Sequence, residues 1–280
     1  MKKLRFASVG DNCIDRFRAP VAQSLVGGNA VNVAVQLARL GHNSFYFGAV
    51  GPDPDGVRTR SLLAENGVKV DHVQVRKGKT AFTDIEVLQS GERVLVFEDF
   101  GVCVGYRPTP LEVDVLKTMD HVHLGWIDDN GTLRQILSRA GISVSQDISV
   151  NTGAANVGVD GLSIAFGSAG PDNAALERMI LDFRSGGAAL AVVTRGERGS
   201  VAVSVSDRAS TGVVPVDVVD TTGAGDSFIA GFLSARLQGS ALEPCLVAGR
   251  DLAAKTCQHV GGFPQQPMAL DEEFDSRFAQ

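Results

Sequence analysis

The chain has 280 residues, 44% of them hydrophobic, and a formal net charge of −6. That supports one large core, or a core with a small appendage, and with no basic block it argues against a dedicated nucleic-acid or membrane-surface binder. The cysteines, Cys13, Cys103, Cys245 and Cys257, lack paired spacing; they read as reduced thiols of a cytoplasmic protein, neither a disulfide framework nor a zinc site.

The run Leu4-Arg5-Phe6-Ala7-Ser8-Val9 stops at Gly10-Asp11-Asn12. It is too short for a signal peptide and reads as a first strand, and no stretch reaches the roughly 18 apolar residues of a membrane span. A second strand is expected at 14–17. Gly27-Gly28 then turns into a helix with apolar positions at 31, 34, 35 and 38, stopped by Gly41. A strand at 44–50 and a helix ending at Asn66-Gly67 follow. Residues 71–100 change character: Val73, Val75, Phe82, Ile85, Val87, Val94, Val96 and Phe97 sit in short alternating runs, with Ser90-Gly91-Glu92 as a hairpin turn.

Beyond Pro108, strands are expected at 121–124, 142–147, 162–166, 190–194 and 201–205. Helices are expected at 110–119, 130–140, 173–185, 225–238 and 242–260. This alternation predicts an α/β fold, a mostly parallel sheet with helices on both faces. The core is expected to span 1–11, 25–70 and 105–280, and a small inserted β-sheet 12–24 and 71–104. Ligands of such folds bind at the carboxyl ends of the strands, where Gly10-Asp11, Gly51 and Thr194-Arg195-Gly196 fall.

The most informative stretch is Asp220-Thr221-Thr222-Gly223-Ala224-Gly225-Asp226-Ser227-Phe228. Three small residues stand where a loop becomes a helix, and a helix start offers unpaired N–H groups and the positive end of a dipole. This is an anion site with no bulk to keep a phosphate away. A carboxylate there is unhelpful unless it handles a proton, so Asp226 reads as a base in phosphoryl transfer to a hydroxyl. In isolation it reads more readily as a helix cap, and the glycines equally as a plain turn. No G-x-x-x-x-G-K-[ST] motif competes for the phosphate role. His121 and His123 share one strand side, but without a third ligand they read as structural. Trp126 stands at the rim, where it could stack on a substrate.

GGNAVN at 27–32, TRGERG at 194–199 and DTTGAGD at 220–226, with Gly10-Asp11 and Asp15 ahead of them, resemble the signatures of the PfkB, or ribokinase-like, carbohydrate kinases. The resemblance spans nearly the whole chain and implies a ribokinase-like core with a β-sheet lid, ATP and magnesium. It implies Asp226 as base and Gly223, Ala224 and Gly225 as the anion hole. Asp15, Gly27, Gly28 and Asn32, with Asp11 a weaker candidate, would bind the sugar; the plain alternatives are turn chemistry for the two acids and a polar helix interior for Asn32. Thr194, Gly196 and Gly199 would hold the nucleotide, with Ala253 and Cys257 near the adenine. Asp220 and Thr222 stand where some relatives hold a monovalent cation, which allows for potassium. Arg93, Glu98 and Asp99 could face the substrate, and a homodimer through the lid is expected. One departure is plain: where the family carries N-x-x-E, this chain has Ser168 and, one position late, Asp172.

GDNCID at 10–15 and AAKTCQHVGG at 253–262 are similar to the fructoselysine 6-kinase branch, which implies the 6-hydroxyl of a fructosamine as acceptor. Fructose, a keto-deoxy sugar acid, ribose or a nucleoside are the rival acceptors. A catalytically weak relative that senses sugar or nucleotide is the rival class.

Overall fold

A computed structural model describes residues 2–88, 93–151, 153 and 156–270. Strand β1 (Arg5–Val9) is almost wholly buried, and its alternate side chains serve two cores: Ala7 and Val9 one, Phe6 the other. β2 (Cys13–Phe17) and β3 (Gln23–Gly27) pair as an antiparallel hairpin outside the core sheet. The chain returns through α1 (Asn29–Arg39), β4 (Asn43–Val50), α2 (Pro54–Glu65) and β5 (Val73–Val75). β6 (Phe82–Val87) and β7 (Arg93–Asp99) leave it again. Then come α3 (Pro110–Leu116), β8 (His121–Leu124), α4 (Thr132–Arg139), β9 (Val144–Asp147), β10 (Ile164–Ser168) and α5 (Asn173–Ser185). The order ends with β11 (Ala191–Thr194), β12 (Ser200–Val203), β13 (Arg208–Thr211), α6 (Ala224–Leu237), α7 (Leu242–Thr256) and β14 (Met268–Ala269).

The large sheet runs β13-β12-β11-β10-β9-β8-β1-β4-β5. It is parallel from β11 to β5, and β12 and β13 close one edge antiparallel. Leu116, Leu133, Leu137, Leu176 and Phe183, from α3, α4 and α5, cover one face. Leu37, Phe232 and Leu246, from α1, α6 and α7, cover the other. Helix α6 is buried continuously from Ser227 to Ser234, so apolar residues surround it instead of forming one stripe. The second sheet runs β14-β3-β2-β6-β7. The expected α/β architecture with a small β-sheet is therefore present.

The expected boundaries shift in three places, one of them β14, which falls in the range expected for the core but pairs with β3 in the small sheet. Val73–Val75, assigned from sequence to the small sheet, pairs in parallel with β4 in the large one; α2 is the crossover that a parallel pair requires. Residues 25–27, assigned to the core, extend β3 within the small sheet. β13 and β14 had no sequence signal strong enough to read. The turn expected at 90–92 lies outside the described residues.

The Asp53 carboxylate ties the start of α2 to the chain entering β6. It accepts from Gly56 N–H (2.9 Å), Thr80 N–H (2.7 Å) and the Thr80 hydroxyl (2.5 Å). Asp53→Ala loses a helix cap and strands the Thr80 donors, so urea unfolding should show a loss of about 1–3 kcal/mol.

Candidate active site

Asp11 closes the turn after β1 and organises what surrounds it. One carboxylate oxygen accepts from Asn29 N–H (2.8 Å); the other accepts from Ala30 N–H (3.3 Å) and Trp126 N–H (3.0 Å). It thus caps α1 and fixes the turn after β8. Burial pushes its carboxyl up despite those three N–H bonds. Its hydrogen-bond partners among the described residues are backbone groups, so Asp11, a candidate sugar ligand from sequence, is engaged in holding the site together.

Helix α1 then presents Asn29 and Asn32, one turn apart and on one side. Asn29 donates to Oδ1 of Asp226 (2.7 Å) and Asn32 to Oδ2 (2.7 Å). Asn29 also donates to Oδ2 of Asp147, at the end of β9 (3.0 Å). Burial raises Asp226 to about 7; Asp147 and Asp11 add to the rise, and the two asparagine N–H groups oppose it. Asp147 is raised by burial to about 6 against hydrogen bonds from Ser149. A carboxylate poised near 7, with both oxygens oriented and partly open to the crevice, suits proton acceptance at neutral pH.

Gly223 begins α6 in the left-handed region (φ 73°), and a Cβ there would sit 2.3 Å from the Gly262 Cα. Only glycine fits this turn. Ala224 N–H turns back to Thr221 O (3.1 Å), so of the three expected hole residues Gly223 and Gly225 have N–H groups without a partner among the described residues. Of these two, Gly225 lines a cavity of about 570 Å³ whose lining includes Asp147, Ser168, Thr194, Gly196 and Gly199. The walls are largely apolar, from Val213, Val214, Val216 and Val218 with Ala253 and Cys257. Thr194, Gly196 and Gly199 thus share one cavity with the α6 start. Asp172 does not line it: its side chain caps α5 at Ala174 N–H (2.8 Å).

On the lid side, Asp15 on β2 lies against Gly27, where a Cβ would be 2.8 Å from the carboxylate. Burial raises Asp15 to about 7. Gly28 is the N-cap of α1. Burial also raises Glu98 on β7, while Asp99 is spent on the Gly101 N–H (2.8 Å). Arg93 reaches from β7 to the loop before α6, donating to the Asp220 carboxylate and the Thr222 hydroxyl (2.7 Å). Burial alone would raise Asp220, but Arg93 and the N–H groups of Gly261 and Thr222 leave it below its ordinary value. The side chains expected near a monovalent cation thus already hold a guanidinium. Trp126 stacks on Phe100 at the end of the lid (4.1 Å between centroids, 15° between planes).

The description "pfkB family carbohydrate kinase" matches residues 16–125 and 153–267. The chain belongs to that family. It is therefore a phosphotransferase with a hydroxyl acceptor. Fructoselysine 6-kinase of Shigella flexneri is 35% identical over 260 residues, 92% of this chain and 98% of that protein. The fructosamine kinase FrlD of Bacillus subtilis is 31% identical over 266 residues, 93% of each. A ribokinase of Arabidopsis thaliana, solved with ribose and ATP, has the same fold at a TM-score of 0.83 and 21% identity, over 94% of this chain and 96% of that one.

Two participants in this kinase's site escaped the sequence reading. Asn29 is the first asparagine of GGNAVN, and its i, i+3 spacing from Asn32 is the signal that both face one point. Asp147 is an acid ending a buried parallel strand, where ligands of such folds gather. Carbon-13 NMR of the side-chain carboxyls should show Asp226 titrating near pH 7. Asn32→Leu removes a donor to the ionised form, so its titration should move to higher pH.

Proposed function

We propose that this pfkB-family kinase transfers the γ-phosphoryl group of ATP to the 6-hydroxyl of a fructosamine such as fructoselysine, with Asp226 as base. The observation that carries the chemistry is the Asp226 carboxylate, held at both oxygens by Asn29 and Asn32 beside the open Gly225 N–H. A sugar resting on Asp15, Gly27 and Gly28 would present its hydroxyl to Asp226. A nucleotide in the Thr194-lined cavity would present its γ-phosphate to the start of α6. The sugar oxygen bonds to phosphorus as the bond to the β-phosphate oxygen breaks, and the hydroxyl proton passes to Asp226. The Gly225 N–H and the α6 dipole stabilise charge on the transferred group. The substrate class follows the relatives named for fructoselysine and fructosamine.

Magnesium would enter with ATP and would supply charge neutralisation to its phosphates. Among the described residues no cluster of three or more acids, histidines or cysteines could cage a metal. Asp147 and Ser149, two of the polar side chains that line the cavity, would face such an ion, held mainly by phosphates and water. The altered N-x-x-E stretch favours one rival, a binding module that senses sugar without turnover, because Ser168 and the capping Asp172 replace the usual pair.

The lid carries exposed apolar side chains on β7, including Leu95 (58% exposed) and Phe97 (47%). A second copy would cover them, so a homodimer through this sheet is part of the proposal. No described helix is long and apolar enough to cross a membrane, and a cytoplasmic setting fits substrates of this kind.

Three outcomes test the proposal. A panel of fructosamines, ketoses, sugar acids and nucleosides with ATP and magnesium should give the highest kcat/KM on a fructosamine, and binding without turnover would make the protein a sensor. Asp226→Asn should lower kcat at least about a hundredfold; undiminished turnover removes Asp226 as base. Replacing potassium by choline should leave the rate within about twofold, because Arg93 already supplies a positive charge at Asp220, whereas Arg93→Ala should make the rate respond to potassium.

A further inference from the structure

The histidine pair that the catalytic reading leaves unused is joined to the base by an unbroken line of hydrogen bonds. Asn29 spends both amide hydrogens on Asp226 and Asp147, so its Oδ1 is left to accept. His123 Nε2 lies 3.1 Å from that oxygen and must donate. Its Nδ1 must then accept, and Ser145 Oγ stands 2.9 Å away. With its proton committed, Ser145 accepts from His121 Nε2 (2.8 Å), and His121 Nδ1 accepts from Ser143 Oγ (2.9 Å). The donor and acceptor inventory permits one arrangement throughout, with every proton pointing toward the carboxylates. Chains aligned this way polarise each other.

The chain is dry until its far end. His121, His123 and Ser145 are 0% exposed and Asn29 is 5% exposed, while Ser143 is partly exposed. Phe6 packs its edge on His121 and Phe166 on His123. Burial holds both rings far below the ordinary histidine range, at about 3, with His121 adding to the effect on His123. They are therefore neutral wherever the enzyme works and can keep the tautomers the chain demands.

We propose that His123 is a positioning residue for Asp226: with Ser145 and His121 behind it, it locks the Asn29 amide so that its N–H groups, and not its oxygen, face Asp226 and Asp147. Without that lock the carboxylates alone orient the amide, and its buried oxygen loses the donor that holds it in register. The groups facing Asp226 are Asp147 from the end of β9, Asp11 from the end of β1, and the uncharged Asn29 and Asn32 from α1. Among the described residues the α1 asparagines are the hydrogen-bond donors to its carboxylate.

The inference rests on Asp226 being the base, and two readouts separate the two claims. The first needs no turnover. Nitrogen-15 NMR of the ring nitrogens of the intact protein should show both histidines neutral and Nε2–H between pH 5 and 8. In His123→Leu, carbon-13 NMR should show Asp226 titrating at higher pH than in the parent. A Nδ1–H tautomer at His123, or an unmoved Asp226 titration in His123→Leu, overturns the proposal whatever the base proves to be.

The second readout is kinetic. His123→Leu should lower kcat about tenfold to a hundredfold, with KM for sugar and ATP within about threefold and the acid limb of the kcat profile moved to higher pH. His123→Gln, which keeps a donor toward Asn29, should recover most of the rate. Equal kinetic losses in the two variants would mean that His123 only packs, which also overturns the proposal. Should His123→Leu not fold, Ser145→Ala breaks the line one link further back and must shift the Asp226 titration in the same direction. In an Asp226→Asn background, His123→Leu should have little further effect on kcat. A full additional loss there would mean that the histidine acts elsewhere.

Discussion

Three carboxylates, Asp11, Asp147 and Asp226, are crowded into one largely dry crevice, and the arrangement of the site follows from keeping them there. Like charges in a poor dielectric repel and lose hydration, so each must be answered by a donor. The fold provides most of these from the N-terminal part of α1, brought to the carboxyl end of the large sheet, and the rest from the turns after β8 and β9. Asp11 is answered by backbone N–H groups, Asp147 by Ser149 and Asn29, and Asp226 by Asn29 and Asn32. The compensation is incomplete: Asp226 stays at about 7 and Asp147 at about 6. A fully paired carboxylate would be a poor base, and an unpaired one would be protonated at neutral pH.

On the proposed function, the start of α6 would divide the crevice into two sides. The largely apolar cavity beyond Gly225 would take the nucleotide, and the carboxylates and glycines of the lid side would take the sugar. Arg93 crosses between them, joining β7 of the lid to the loop that enters α6, and the Trp126–Phe100 stack makes a second bridge between core and lid. Closure of the lid, on the proposed function, would thereby be connected to the backbone that meets the phosphate, and would keep water from the phosphoryl group in transfer.

Much of the fold was legible because long parallel strands and amphipathic helices announce themselves by period. Helix α5 was read at its observed bounds, and β8 likewise. The failures were short or depended on partners. β5 has three residues, too few for a period to assign it to a sheet, and its place is decided by pairing with β4. β3 was missed because its last residues, Val26 and Gly27, look like the approach to a helix, yet they pair with β2.

The sequence by itself determined the chemistry at the start of α6. A turn needing glycine, small residues after it and a single acid in the first turn make an anion site with a candidate base whatever surrounds them. Tertiary structure alone decided what that acid is worth. Asn29 lies 197 positions from Asp226, Asp147 lies 118 from Asn29, and Arg93 lies 127 from Asp220. A carboxyl's proton affinity depends on burial and on which donors lie within about 3 Å. Those are properties of packed strands and helices, and no spacing along the chain encodes them.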